Sequence, residues 1–195
     1  MIYVLAPASY AQALVWTDLK KTQLPLNSVS FSYRLSSDAN LSIMQLRQAL
    51  ELVVIKHESL RTALIFDVNK NVVMQQIIDT DHNNSKELYT FMESFVENDV
   101  ELKNILHDEL INPNYFDLER GLVFRCHIVR SKRNHGNDLL YAGDVLCFTF
   151  NPVLIDCPSM KTFLHDLDEA YTMEALTYDH NLILRYIDCE TVIFG

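Results

Sequence analysis

Asp144-Val145-Leu146-Cys147-Phe148-Thr149-Phe150-Asn151-Pro152-Val153-Leu154-Ile155-Asp156-Cys157-Pro158 is an apolar run that a proline stops, followed by a second proline. From Val145 to Phe150 every residue but Thr149 is apolar, with aromatic and β-branched side chains, the composition of a buried strand. Past Pro158, Met160, Phe163, Leu164, Leu167 and Tyr171 recur at helical spacing and predict a helix starting near the proline. Each proline also biases the residue before it, Asn151 or Cys157, towards extended backbone. Upstream, strands are expected at 122–130 and 139–150, joined by the polar linker Ser131 to Asp138.

Nearer the N-terminus, Ser9 and Gln12 have capping-box spacing, and Ala11, Leu14, Val15 and Leu19 predict a helix from about 9 to 20 with Trp16 near its buried side. Val29, Phe31, Tyr33 and Leu35 alternate with Ser30, Ser32 and Arg34, the period of a half-buried strand. A helix over 42–56 carries Leu46, Leu50 and Val53 on one stripe. Segments 61–67 and 71–78 read as a hairpin whose turn lacks glycine. From Lys86 to Leu110, Leu88, Phe91, Phe95, Leu102, Ile105 and Leu106 fall at helical intervals, with an interruption near Asn98-Asp99. Asn112-Pro113-Asn114 ends that segment. Helices interleaved with strands, without repeats, give an α/β or α+β fold: a mixed β-sheet packed with helices in one compact unit.

Composition narrows the function classes. Only four of the 195 residues are glycine, against about 14 for average usage, so a Gly-rich phosphate cradle is excluded. The formal net charge of −10 argues against nucleic acid as a partner. No stretch approaches the roughly 20 apolar residues of a membrane span. Met1 to Leu5 is too short an apolar run, and lacks the basic flank, for a signal peptide, so a cytoplasmic chain is expected. Cys126, Cys147, Cys157 and Cys189 are far apart without a C-x-x-C pair, and buried free thiols are expected.

Single candidate sites each admit a structural reading. His165 and Glu169, four apart on the last predicted helix, offer two metal ligands, but with Asp166 and Asp168 they also fit a solvated face, and no metal is expected. His57-Glu58 offers a base with an orienter or a helix cap, with Arg61 as ion partner. Cys157 offers a thiolate near a helix start, with no histidine at a telling position.

The order of several segments is more specific. Ser9-Tyr10-Ala11-Gln12-Ala13-Leu14-Val15-Trp16, then Lys56-His57-Glu58-Ser59-Leu60-Arg61-Thr62, then Tyr115-Phe116-Asp117-Leu118-Glu119-Arg120-Gly121-Leu122-Val123-Phe124-Arg125, then Arg185-Tyr186-Ile187-Asp188 resemble successive motifs of the condensation domains of nonribosomal peptide synthetases. The resemblance carries Ser9, Gln12, Trp16, His57, Glu58, Tyr186 and Asp188 as motif positions. It implies a chloramphenicol acetyltransferase-like fold, in which two similar lobes meet around a tunnel entered from opposite ends by substrates on phosphopantetheine arms. Carrier domains or a second lobe are the implied partners, no cofactor is implied beyond the carrier's arm, and amide bond formation is the implied activity. The family's second-lobe motifs are absent, so residues 1–195 resemble the N-terminal lobe alone, without the C-terminal lobe.

In the resembled family the base is the second His of an H-H-x-x-x-D-G motif between a core strand and the next helix. Aligned on Asp156, Asn151 stands at the first His, Pro152 at the catalytic His and Cys157 at the Gly. Proline has no titratable group and no N–H, and a positioned base is typically worth ~10²–10⁴ in rate. The resemblance pairs Asp156 with Arg61 as a structural couple; an N-cap ahead of Pro158 is an equally open role for Asp156. The expectation is a condensation-type lobe with impaired or absent activity; a non-catalytic scaffold or carrier-binding module, or a truncated relic prone to self-association, is the alternative.

Overall fold

The computed structural model describes residues 5–22, 28–37, 40–80, 88–132, 138–155 and 158–176. In chain order the elements are β1 (Leu5–Pro7), α1 (Tyr10–Thr22), β2 (Val29–Arg34), β3 (Leu41–Ser42), α2 (Ile43–Lys56), β4 (Thr62–Asp67), β5 (Val72–Ile77), β6 (Thr90–Val96), α3 (Asp99–Ile111), β7 (Phe124–Ser131), β8 (Leu139–Leu140), β9 (Val145–Phe150) and α4 (Ser159–Met173). The expected α/β class holds: a mixed sheet ordered β2-β9-β7-β6 is packed with helices, beside a three-stranded sheet ordered β1-β5-β4.

The central strands β7 and β9 run antiparallel, with Phe124 opposite Phe150 and Ile128 opposite Leu146. Their alternate residues therefore face opposite sides. Phe124, Cys126, Ile128, Leu146, Phe148 and Phe150 join a core with Leu46, Leu50 and Val53 of α2 and Met160, Phe163 and Leu167 of α4. The Phe163 ring stands edge-on to Phe150 at 5.2 Å and to Phe124 at 5.4 Å between centroids, and such pairs add about 0.5–1.5 kcal/mol each beyond their buried area. On the other side, Val129 and Val145 pack on Leu102 of α3.

The segment expected to be helical from residue 86 onward is corrected at its start. Thr90–Val96 is a strand, paired parallel to β7 with Met92 opposite His127. Phe91 and Phe95 mimic helical spacing, yet Thr90 and Val96 favour the pleat, and pairing with β7 decides the outcome. Helix α3 then starts at Asp99, where Asn98 accepts the backbone N–H of Val100 and Glu101 at 3.0 Å each. It is the crossover that a parallel pair requires. The single strand expected at 139–150 is also interrupted, by Gly143 at φ +91°, into β8 and β9.

Other local signals are met among the described residues. Ser9 N donates to Gln12 Oε1 at 2.9 Å and Gln12 N to Ser9 Oγ at 3.1 Å, a reciprocal capping box that starts α1. In the β4–β5 hairpin, Asp67 Oδ1 accepts from Asn69 N at 3.0 Å and Lys70 N at 3.1 Å, and Asn71 takes φ +54°, so Asx chemistry replaces the missing glycine. Gly121 is needed: its φ is +72°, and a Cβ there would meet Ile78 Cγ1 at 2.9 Å. Cys126 and Cys147 are buried free thiols, and burial pushes the pKa of both up, whereas Cys157 and Cys189 lie outside the described residues. Among the described residues no helix is long and apolar enough to cross a membrane.

Candidate functional site

Strand β9 delivers Asn151 to a short turn, where its backbone N–H bonds Val123 O at 2.9 Å and its Oδ1 accepts from Val153 N at 3.0 Å. The Asn151 Oδ1 is thus engaged in the turn. Val153 and Leu154 turn inward, packing with Leu64, Val73 and Val123. Pro152 faces a groove of about 550 Å³ whose lining includes Trp16, Leu19, Phe116, Leu118 and Asn151. Its walls mix apolar and polar side chains, and the ion pair Lys20–Glu119 at 2.9 Å belongs to the same lining. Trp16 stacks on Phe66 at 5.6 Å, and its Nε1–H is buried without a hydrogen-bond partner.

His57 and Glu58 lie elsewhere, at the junction of α2 and α4. His57 caps α2 through its backbone N–H to Val53 O at 2.9 Å. Its Nε2 meets Asp166 Oδ2 at 2.6 Å, and Lys56 Nζ reaches the same oxygen at 2.9 Å. The orienter of His57 is therefore Asp166 of α4, not the adjacent Glu58, whose Oε2 is buried without a hydrogen-bond partner. Arg61, the expected ion partner of the pair, donates to Ile78 O at 2.6 Å and Ile55 O at 3.3 Å.

Asp166 corrects another expectation, because it is 4% exposed rather than on a solvated face. Burial pushes its carboxyl up, but hydrogen bonds from Lys56, His57 and His165 outweigh that and hold it below its ordinary value. His165, Asp166 and Glu169 each bring one ligand atom within 4.8 Å of the others. The Lys56 ammonium against Asp166 makes this an ion-pair junction unsuited to a second cation. Asp156, Cys157, Tyr186 and Asp188 lie outside the described residues, and with them the expected Asp156–Arg61 pair.

A further constellation was not singled out from the sequence. Glu109 of α3, 1% exposed, accepts Arg125 Nε at 2.9 and 3.0 Å, Thr149 Oγ1 at 3.1 Å, and lies 2.6 Å from His127 Nδ1. His127 Nε2 is 2.8 Å from Ser94 Oγ. Burial pushes Glu109 up, but the hydrogen bonds and charges of His127 and Arg125 prevail and keep it below the usual carboxylate value. The available signal was the placing of Arg125 and His127 at alternate positions of an otherwise apolar strand.

No family model matches the sequence. The chain is 24% identical over 183 residues to the hybrid PKS-NRPS synthetase apdA of Emericella nidulans, covering 93% of this chain and 4% of that protein. It is 32% identical over 177 residues to the hybrid PKS-NRPS synthetase pvhA of Talaromyces variabilis, covering 88% of this chain and again 4% of the relative. Among solved structures, the X-domain from teicoplanin biosynthesis superposes with a TM-score of 0.70 at 23% identity, over 95% of this chain and 37% of that one. The condensation domain from the monacolin K polyketide synthase MokA gives a TM-score of 0.66 at 16% identity, over 97% and 38%. The chain therefore spans a small part of its sequence relatives and less than half of each of these two solved chains, and it shares the fold of condensation-type domains and is similar in sequence to a stretch of hybrid PKS-NRPS synthetases.

Proposed function

We propose that this chain is the N-terminal lobe of a condensation-type domain, that it has kept the fold and lost the base, and that its groove at Asn151–Pro152 receives the phosphopantetheine arm of a carrier domain without itself forming the amide bond. The observation that carries this reading is the groove's chemistry. At the position where the resembled family places its catalytic imidazole, the Pro152 side chain offers no proton acceptor, and the Asn151 Oδ1 already accepts within its own turn. The groove nonetheless suits a flexible amide-bearing arm, with the apolar side chains Trp16, Leu19, Phe116 and Leu118 for its methylenes and polar side chains such as Asn114 beside them for its amides. A second lobe and the carrier are the partners this reading requires, and the cytoplasm is the compartment it fits.

The test separates binding from chemistry. Carrier-tethered acyl and amino substrates, with a second lobe supplied, should give amide no faster with this chain than without it; faster product overturns the silent reading. A holo-carrier should bind more tightly than the apo-carrier, and Phe116→Ala, which removes an apolar side chain from the groove lining, should weaken the holo complex several-fold in fluorescence polarisation. Equal binding of holo- and apo-carrier overturns the assignment of the groove. Asn151→His, Pro152→His and Cys157→Gly combined ask whether the base alone is missing.

A further inference from the structure

We propose that Ser94 is a base-activated nucleophile, with His127 as its general base and Glu109 as the residue that positions the base, forming a second reactive site that takes small activated acyl esters or thioesters. The three side chains come from β6, β7 and α3 and form one continuous relay. Ser94 Oγ is 2.8 Å from His127 Nε2, and His127 Nδ1 is 2.6 Å from Glu109 Oε1. This is the order nucleophile, base, orienter that activates a hydroxyl, recognised by geometry rather than by sequence position.

The protonation pattern follows from the partners. Glu109 receives Arg125 Nε on both oxygens and Thr149 Oγ1 on one, so it stands as a carboxylate and can only accept. His127 Nδ1 must then carry the hydrogen. In the neutral ring this leaves the Nε2 lone pair facing the Ser94 hydroxyl, the tautomer a general base needs. Arg125 and Thr149 fix Glu109 in place, and the Tyr115 ring lies over the Arg125 guanidinium at 3.8 Å. His127 and Glu109 are buried, whereas Ser94 is half-buried on β6, the edge strand of its sheet. The base is shielded and the nucleophile stands at the rim, where a small ester can approach and its leaving group depart into water.

In the step, Ser94 Oγ bonds to the acyl carbon as its proton passes to His127 Nε2. The carbon–sulfur or carbon–oxygen bond to the leaving group breaks, and that group takes the proton from His127. Water, deprotonated by His127, then displaces the acyl group as the free acid and regenerates the serine hydroxyl. None of these residues lines the Asn151–Pro152 groove, so the site is independent of the carrier-binding reading.

The test is labelling of the full chain with an alkyl fluorophosphonate, which loses fluoride as the serine oxygen bonds phosphorus, followed by peptide mapping. Ser94 should react about 10²-fold or more faster than any other serine, and Ser94→Ala should lose the adduct. Folded His127→Gln should lower the rate by about the same factor. Labelling of Ser94 no faster than of the other serines of the unmodified protein overturns the proposal, a comparison that stands even if His127→Gln does not fold. Labelling of folded His127→Gln at the unmodified rate overturns it as well.

Discussion

The two faces of the β2-β9-β7-β6 sheet are built from alternate residues of the same strands and hold the protein together in different ways. On one face, Phe124, Phe148 and Phe150 meet Phe163 and the apolar stripes of α2 and α4. On the other, Arg125, His127 and Thr149 converge on Glu109 of α3. The aromatic face is stabilised by area removed from water, a non-directional effect that each ring contributes in proportion to its size. The polar face is stable only as a set, because a buried ion that loses its partner keeps its desolvation cost. One face should therefore respond to substitution by degrees and the other abruptly.

The largest loss is expected on the aromatic face. Phe124→Ala should cost about 4 kcal/mol in urea unfolding, and Phe124→Leu distinctly less, since the penalty follows the volume removed. On the polar face, Glu109→Ala should cost about 3 kcal/mol by leaving Arg125 unpaired. Glu109→Gln, which removes no volume, should cost nearly as much; if it proves mild while Phe124→Leu is severe, the contrast between the faces is wrong. The same network has a pH signature. Because the folded carboxyl of Glu109 sits below its unfolded value, its contribution is complete above the ordinary Glu value near 4.5 and is lost as pH falls below it. Stability of the unmodified protein should drop through that window, and the drop should shrink in Glu109→Gln.

A smaller effect is expected at the α2–α4 junction. Asp166→Asn should cost about 2 kcal/mol, because Lys56 and His57 both bond the oxygen whose charge is removed. It should leave the α3 side intact, visible as unchanged Ser94 labelling. Ser42→Ala is the mildest case. It removes the cap that accepts Gln45 N at 3.2 Å at the start of α2, and about 1 kcal/mol should be lost by the same unfolding measurement.

Much of the architecture was legible because its causes are local. Ser9 and Gln12 cap α1 through each other, three residues apart. Phe124, Cys126 and Ile128 declare their shared face by period alone. The strand β6 was illegible for the opposite reason: Leu88, Phe91 and Phe95 satisfy a helical spacing, and only the parallel partner β7 selects the pleat. The groove was half legible. Pro152 and Asn151 could be placed from the chain order of strand, proline and helix, whereas the arrival of Trp16 and Phe116 beside them depends on packing.

By itself the sequence determined the α/β class, the capping of α1 and the buried thiols Cys126 and Cys147, since each depends on residue type or short-range spacing. Only the tertiary structure decided which charges meet. His57 finds Asp166 across 109 residues, and His127 finds Glu109 and Ser94 from two other elements. The physical reason is that the energy of a buried ion or hydrogen bond depends on who stands within about 3 Å of it in the folded chain, and spacing along the sequence does not determine that.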